Sequence, residues 1–202
     1  MNRLASLVAR TEGTQPWRRI LHATIGLTIV LFLILVDPSW GLAVGVLGGT
    51  TLLVLVLDGL RLMIPRLNRF FFRILRPFAS PREAQGIASS TWFMLGIFLA
   101  VAIFPRSVVI PAILTLSLAD PAASYVGRRW GRRPLGSGTV EGSLVFLVVA
   151  LSILVPVAGL LPGSGTALAV TLAERVPWPL DDNLVIPLLT GILLWSLLPF
   201  WG

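Results

Sequence analysis

The chain contains no cysteine and no lysine, and its one histidine is His22. Without cysteine there can be no disulfide, zinc–thiolate site or iron–sulfur cluster, and a lone histidine cannot build a His-rich metal centre. All sixteen basic residues are arginine. That excludes mechanisms needing a lysine: a P-loop NTPase, a protein-kinase strand lysine or a Schiff base. Charge is also scarce. Charged residues make up 12% of the 202, whereas soluble domains carry roughly a quarter; residues of the AVILMFWYC set reach 55% and mean hydropathy is +0.89. So little charge cannot wet a globular surface, which excludes both an ordinary cytosolic enzyme and a disordered tail. A net charge of +7 and a pI near 11.7 suggest nucleic acid at first sight. Nucleic-acid binding would need a folded soluble module with aromatic platforms for bases, and none is present.

What the chain does have is apolar runs. A membrane helix needs about 20 mostly apolar residues. Runs of suitable length cover about 20–36, 40–57, 87–104, 108–125, 144–161 and 184–201. A shorter one, about 165–176, sits near the lower limit, where a tilted or re-entrant helix also fits. The expectation is an all-α integral membrane protein of about seven transmembrane helices, with residues 1–202 forming a single polytopic membrane domain. Val36-Asp37-Pro38-Ser39-Trp40 lacks a small-x-small cleavage pattern, so the first run reads as a retained helix. With the N-terminus cytoplasmic and seven crossings, fifteen arginines, from Arg3 and Arg10 to Arg175, face the cytoplasm and only Arg106 faces outward, a strong positive-inside bias. The C-terminus then faces outward. Residues 58–86 form a basic segment in which Arg61, Arg66, Arg69, Arg73 and Arg76 alternate with apolar residues, the pattern of an amphipathic helix lying in the headgroup layer. Pro65 should break it or start its second part.

On this topology Asp37 is the one acidic residue facing outward. Asp58, Asp120 and Glu174 lie in or beside apolar runs. A carboxylate inside a membrane helix costs about 2.5–3.5 kcal/mol on insertion scales, which makes it a functional candidate. Asp58 can be satisfied by Arg61 one turn on and reads as structural; a structural pairing with a buried arginine is the competing reading for Asp120. Residues 127–143 carry five glycines, four arginines and three hydroxyls. Glycines let backbone N–H groups approach an anion, arginines offer planar forks to phosphate oxygens, and Thr139 or Ser143 can cap the helix that follows. These are the parts of a polyphosphate site. Gly131-x4-Gly136-Ser137 lacks the lysine of a phosphate loop, and on composition alone a plain basic loop fits equally well.

In order, these residues resemble the CTP-dependent lipid kinase family, which includes dolichol kinase, phytol and farnesol kinases and the yeast-type diacylglycerol kinase. Trp17-Arg18-Arg19-Ile20-Leu21-His22 resembles an N-terminal Arg-Lys-x-x-His element. Glu83, Gly86 and Ser89-Ser90-Thr91-Trp92 are similar to the element opening the third span. Asp120-Pro121-Ala122-Ala123 through Gly127-Arg128-x-x-Gly131 resembles an Asp-x-x-Ala stretch leading to Gly-x-x-x-Gly. Thr139-Val140-Glu141-Gly142-Ser143 resembles Lys-Thr-x-Glu-Gly-Ser, and Glu174 with Asp181-Asp182-Asn183 and Pro187 resembles a last motif. Gly138 stands where that family usually has a lysine, so Arg132 or Arg133 is expected to substitute for it.

The resemblance implies transfer of the CTP γ-phosphate to a membrane lipid alcohol at the cytoplasmic face of a bacterial inner membrane. Asp120, Glu141 and Asp182 are then the expected catalytic residues, with Asp120 and Glu141 holding Mg²⁺. Arg18, Arg19, Gly127, Arg128, Gly131, Arg132, Arg133, Ser137, Thr139, Gly142, Ser143 and Asn183 are expected to bind the nucleotide. Asp120, Asp181 and His22 are unranked candidates to take the acceptor's proton. The polyprenol, isoprenoid or diacylglycerol nature of the acceptor and the oligomeric state stay open. A phosphatidate cytidylyltransferase is the runner-up enzyme, although its longer Asp-rich signature is not evident. A small transporter is the rival outside enzymology, weakened by the lack of an internal repeat.

Overall fold

The computed structural model describes residues 3–9, 11 and 16–197; Arg10 and the end of the last apolar run lie outside them. The structure is 81% helical. A short α1 (Arg3–Ala9) precedes α2 (Pro16–Leu31), which a π-helical turn continues over Phe32–Val36. Then come α3 (Trp40–Met63), α4 (Pro65–Ile74), α5 (Ser89–Ile103) and α6 (Arg106–Leu114). A second π-helical turn, Thr115–Ala119, joins α6 to α7 (Asp120–Trp130). A hairpin of β1 (Pro134–Leu135) and β2 (Gly138–Thr139) leads into α8 (Val140–Ala158), α9 (Leu160–Ala173) and α10 (Asp182–Leu197).

This is an all-α membrane protein. Pro16–Val36, Trp40–Met63, Arg106–Trp130 and Val140–Ala158 are long and apolar enough to cross a bilayer. The helices α5, α9 and α10 are as apolar but have 15, 14 and 16 residues. At 1.5 Å per residue that is about 21–24 Å, less than the ~30 Å of hydrocarbon in a typical bilayer. The outward face of α3 exposes Leu42, Val46, Leu52, Leu53, Val56 and Leu57, a surface suited to acyl chains and not to water.

Local chemistry sets the helix limits. Ser39 caps α3 by accepting from the Leu42 N–H, and Thr139 caps α8 by accepting from the Gly142 N–H at 3.1 Å, the role expected of it. Pro65 occupies the first turn of α4, with Ile64 extended before it, as a residue preceding proline prefers. Gly159, at φ 84°, separates α8 from α9. The turn Thr115–Ala119 ends immediately before Asp120-Pro121. A proline ring inside a regular helix collides with the carbonyl four residues back, and a widened turn there relieves that crowding.

The helices pack as a bundle in which α8 lies along α7 and α9, α10 against α5, α6 and α9, and α3 along α5. Ile97, Val101, Ile113, Phe146, Leu154 and Leu194 are buried at its centre. Two glycines permit the closest approaches. A Cβ at Gly163 would lie 2.7 Å from the Leu154 carbonyl oxygen, and one at Gly96 would meet the Asn183 carbonyl. At the far end of α2, Arg106 pairs with Asp37 and donates to the Pro38 carbonyl at 2.7 Å. The two charges expected on the outward side thus neutralise each other.

One arginine of the basic segment, Arg61, is buried, while Arg66, Arg73 and Arg76 are exposed. The helix α3 continues past the expected end of its run to Met63, so Asp58 and Arg61 are both buried within it. The Arg61 guanidinium donates to Asp58 Oδ1 at 2.5 Å, to Asn68 Oδ1 at 3.0 Å, and to the carbonyls of Glu83 and Gly86 at 2.6 and 2.9 Å. The second Asp58 oxygen accepts from the Ala88 N–H at 2.8 Å. The pair therefore staples residues 83–88 to α3, a structural role for Asp58.

Candidate functional site

At the end of the bundle away from Asp37 and Arg106, a polar cavity of about 770 Å³ opens among alternate helix ends. The start of α2 supplies Arg18, and α7 supplies Asp120, Ser124, Gly127 and Arg128. Ser137, Gly138 and Thr139 come from the hairpin and Gly142 from the first turn of α8. The turn after α9 gives Glu174 and Arg175, Asp181 comes from just before α10, and Asp182 and Asn183 from its first turn. The fourth wall is Ser80–Glu83 with Ser89. Residues from Arg18 to Asn183 therefore share one site, and Asp120 faces the same space as the Gly127–Gly142 stretch.

Each wall has a physical cause. The Ser80–Glu83 turn is closed by a reciprocal cap in which Glu83 accepts from the Ser80 N–H at 3.2 Å. Glu83 also accepts from the Ser89 N–H at 3.1 Å and lies 3.8 Å from Arg18. The hairpin needs Gly136, whose φ is 55°, at the first position of a two-residue loop, a conformation natural to glycine. Its tip is fixed to the turn after α9 by a hydrogen bond from Ser137 Oγ to the Glu174 carbonyl at 3.1 Å. The α7–α8 crossing is close because Gly127 faces Gly142 and Thr139; a Cβ at Gly127 would lie 2.9 Å from Thr139 Oγ1.

The charge is mixed. Arg18, Arg82, Arg128 and Arg175 face Asp120, Glu174, Asp181 and Asp182. Glu174, just beyond the last residue of α9, pairs with Arg175. Burial nevertheless pushes its carboxyl up to about 7, with Arg175 pulling the other way and Asp120 adding to the rise. Asn183 donates to Asp181 Oδ1 at 2.6 Å through its side chain and at 3.0 Å through its backbone N–H. Its buried Oδ1 has no partner among the described residues.

Of the expected residues, the cavity brings together Asp120, Asp182, Arg18, Gly127, Arg128, Ser137, Thr139, Gly142 and Asn183. It does not include Glu141, Arg19, Gly131, Arg132, Arg133 or Ser143. Glu141 turns outward and accepts from the Arg133 N–H at 3.4 Å, holding the hairpin to α8, so the expected Asp120–Glu141 metal pair is not assembled. Arg132 and Arg133 are exposed and do not stand in for a side chain at Gly138. Arg19 donates to Ser124 Oγ at 3.1 Å, and Ser143 donates to the Thr139 carbonyl. His22 is buried and stacked on Phe93 at 4.7 Å, and does not line the cavity. Sequence reasoning missed Arg175, whose adjacency to Glu174 suggested only a local pair, and Ser80, Arg82 and Ser124, whose types carry no motif.

No three carboxylates converge as a closed metal cage among the described residues. Magnesium usually takes one or two carboxylates and completes its shell with phosphate oxygens and water. The cluster of Asp120, Asp181 and Asp182 in one cavity fits an ion held jointly with a phosphate ligand.

Three curated proteins similar to this chain are CTP-dependent diacylglycerol kinases. The Schizosaccharomyces pombe protein is 26% identical over 164 residues, 70% of this chain and 74% of its own length. The Eremothecium gossypii protein is 30% identical over 141 residues, 66% of this chain and 43% of its own. The Saccharomyces cerevisiae protein is 25% identical over 114 residues, 56% and 39%. The chain thus spans less than half the length of the latter two. No family model and no solved structure matches the chain.

Proposed function

We propose that the chain is a member of the CTP-dependent lipid kinase family, a reading that its similarity to the three fungal kinases supports, and that the polar cavity transfers the γ-phosphate of CTP to the hydroxyl of a membrane lipid alcohol. The observation that carries this reading is the convergence of four arginines, five carboxylates and a glycine-lined hairpin in one space at the helix ends. One substrate arrives from water and the other from the bilayer, and a cavity at helix ends can receive both. The names of the relatives favour diacylglycerol as acceptor; a polyprenol or phytol-like alcohol presents the same hydroxyl. Seven crossings with the N-terminus cytoplasmic would put this cavity on the face where CTP is found, and α4, with its arginines, in the headgroup layer.

Phosphoryl transfer needs positioning and charge neutralisation more than covalent chemistry. Arg18, Arg82, Arg128 and Arg175 neutralise the triphosphate, and the backbone at Gly127 and Gly142 lets phosphate oxygens approach. Asp120 with Asp181 or Asp182 would hold Mg²⁺, which would supply further neutralisation of the phosphates. The acceptor oxygen forms a bond to the γ-phosphorus, the bond from that phosphorus to the bridging oxygen breaks, and CDP leaves. The hydroxyl proton passes to a cavity carboxylate, Asp120 or Asp181; His22 does not line the cavity. The unpartnered Asn183 Oδ1 is placed to accept from a nucleotide donor.

The test is incubation of the purified chain in mixed lipids with γ-labelled or α-labelled CTP. Lipid labelled from the γ position alone is expected. Label carried in from the α position would mean cytidylyl transfer, and no labelled lipid at all would sink the kinase reading.

A further inference from the structure

We propose that Arg175 is the phosphate-binding cation of the cavity floor and that Gly138 is small so that this guanidinium can stand there. The inference rests on the polyphosphate reading of the cavity and says how one of its four arginines is held in place. A side chain at 138 would begin inside the Arg175 guanidinium: an ideal Cβ on Gly138 collides with Arg175 Nη1 and comes within 2.7 Å of its Cζ. Arg175 therefore fills the side-chain position of the hairpin's second strand, although it comes from the turn after α9, a whole helical hairpin further along the chain.

The hairpin and this turn are locked together from both sides. Ser137 Oγ donates to the Glu174 carbonyl at 3.1 Å, and a Cβ at Gly136 would meet the Arg175 carbonyl. At 136 the neighbour is backbone, so nothing larger than glycine fits while the turn stays docked; at 138 it is the tip of the Arg175 side chain, which a Cβ would push aside. The guanidinium is held by Glu174 through Nη2. Its Nε is buried without a hydrogen-bond partner among the described residues, and the side chain is only 11% exposed, where an unmet donor is costly. The residue lines the cavity beside Gly138 and Thr139. A buried cation with an unmet donor, aimed at a glycine-lined wall, matches a phosphate oxygen, which can accept from such a planar fork. Glu174 alone does not satisfy the guanidinium, because the pair runs through Nη2 and leaves Nε unmet.

The proposal separates binding from turnover, so it is tested with inorganic tripolyphosphate and with CTP, against cytidine as a ligand lacking phosphate. The full chain is used in detergent or nanodiscs, with folding checked by size-exclusion profile. Arg175→Gln is expected to weaken tripolyphosphate and CTP by about tenfold or more, the worth of one charge-assisted hydrogen bond, with cytidine unchanged. Gly138→Ala is expected to do the same by evicting the guanidinium. Adding Gly138→Lys to Arg175→Ala, which returns a cation to the vacated space from the other strand, is expected to recover most of the loss. A second measurement needs no variant: phenylglyoxal modification of the native chain read by mass spectrometry, in which tripolyphosphate should protect Arg175 and leave the exposed Arg66 reactive. Tripolyphosphate that fails to bind the native chain, a folded Arg175→Gln protein that binds it normally, or unchanged Arg175 modification would each overturn the proposal. Normal protection of Arg175 in a chain that moves no phosphate to lipid would overturn the kinase reading and leave the Arg175 assignment standing.

Discussion

Asp120 lies between a widened helical turn and a proline, and the run from Val108 to Tyr125 holds no other charged residue. A carboxylate there survives because it opens onto a polar cavity rather than lipid. Asp120→Asn keeps the shape and removes the charge, so it is expected to lower lipid phosphorylation by about a hundredfold or more while the chain still inserts and elutes as a folded species. Near-normal labelling of lipid by that variant would remove Asp120 from the chemistry. Another carboxylate of the apolar runs, Asp58, has the opposite fate. Asp58 and Arg61 satisfy one another and the backbone of 83–88. Breaking a buried pair strands a charge, so Arg61→Ala should cost about 3–5 kcal/mol. Thermal unfolding in detergent is the measurement, and an unchanged midpoint would contradict the staple. Identical residue types in similar runs thus take different roles according to whether an arginine lies one turn away.

Among the elements, α7, α8 and α10 carry most of the site, and their positions depend on glycines at crossings. Gly96 on α5 lets the start of α10 approach until a Cβ would meet the Asn183 carbonyl and lie 3.1 Å from Leu184 Cα. Overpacking a well-packed contact typically costs about 1–3 kcal/mol. Gly96→Ala is therefore expected to lower stability by that order and to weaken CTP binding as well, because the displaced segment carries Asp181, Asp182 and Asn183. Equilibrium binding of CTP alongside thermal unfolding checks both, and a loss of stability with untouched affinity would mean that α10 tolerates the shift. The apolar runs were legible in the sequence because hydropathy needs only a window of residues. The π-helical turns and the hairpin were not. The turn before Pro121 depends on how a proline ring is accommodated within a helix, and the hairpin on a glycine at positive φ between strands of two residues.

At the scale of the whole molecule, the charges sort to the two ends of the bundle. Asp37 and Arg106 pair at one end, while the cavity and the stapled basic segment share the other. The absence of cysteine makes the orientation directly measurable, since one introduced cysteine is the only thiol. Arg132→Cys, on the hairpin side, is expected to react with a membrane-impermeant maleimide only when the cytoplasmic face is accessible, and Ser39→Cys only from the opposite face. The reverse pattern would invert the topology and put the cavity where CTP is not found.

The sequence alone determined that this chain is a membrane protein, roughly where its apolar helices run, and that Asp120 stands as a carboxylate in an apolar run, while for the Gly/Arg stretch after it composition left a phosphate site and a plain basic loop equally open. Composition, run length and the cost of a membrane carboxylate are properties of residues and their near neighbours. Only the tertiary structure decided which arginines reach the cavity. Arg132 and Arg133 are near Gly138 in sequence yet are exposed and line no part of it, whereas Arg175, far along the chain, fills the space beside it. Helix packing sets which ends meet, and no local pattern encodes the direction of a side chain across a crossing.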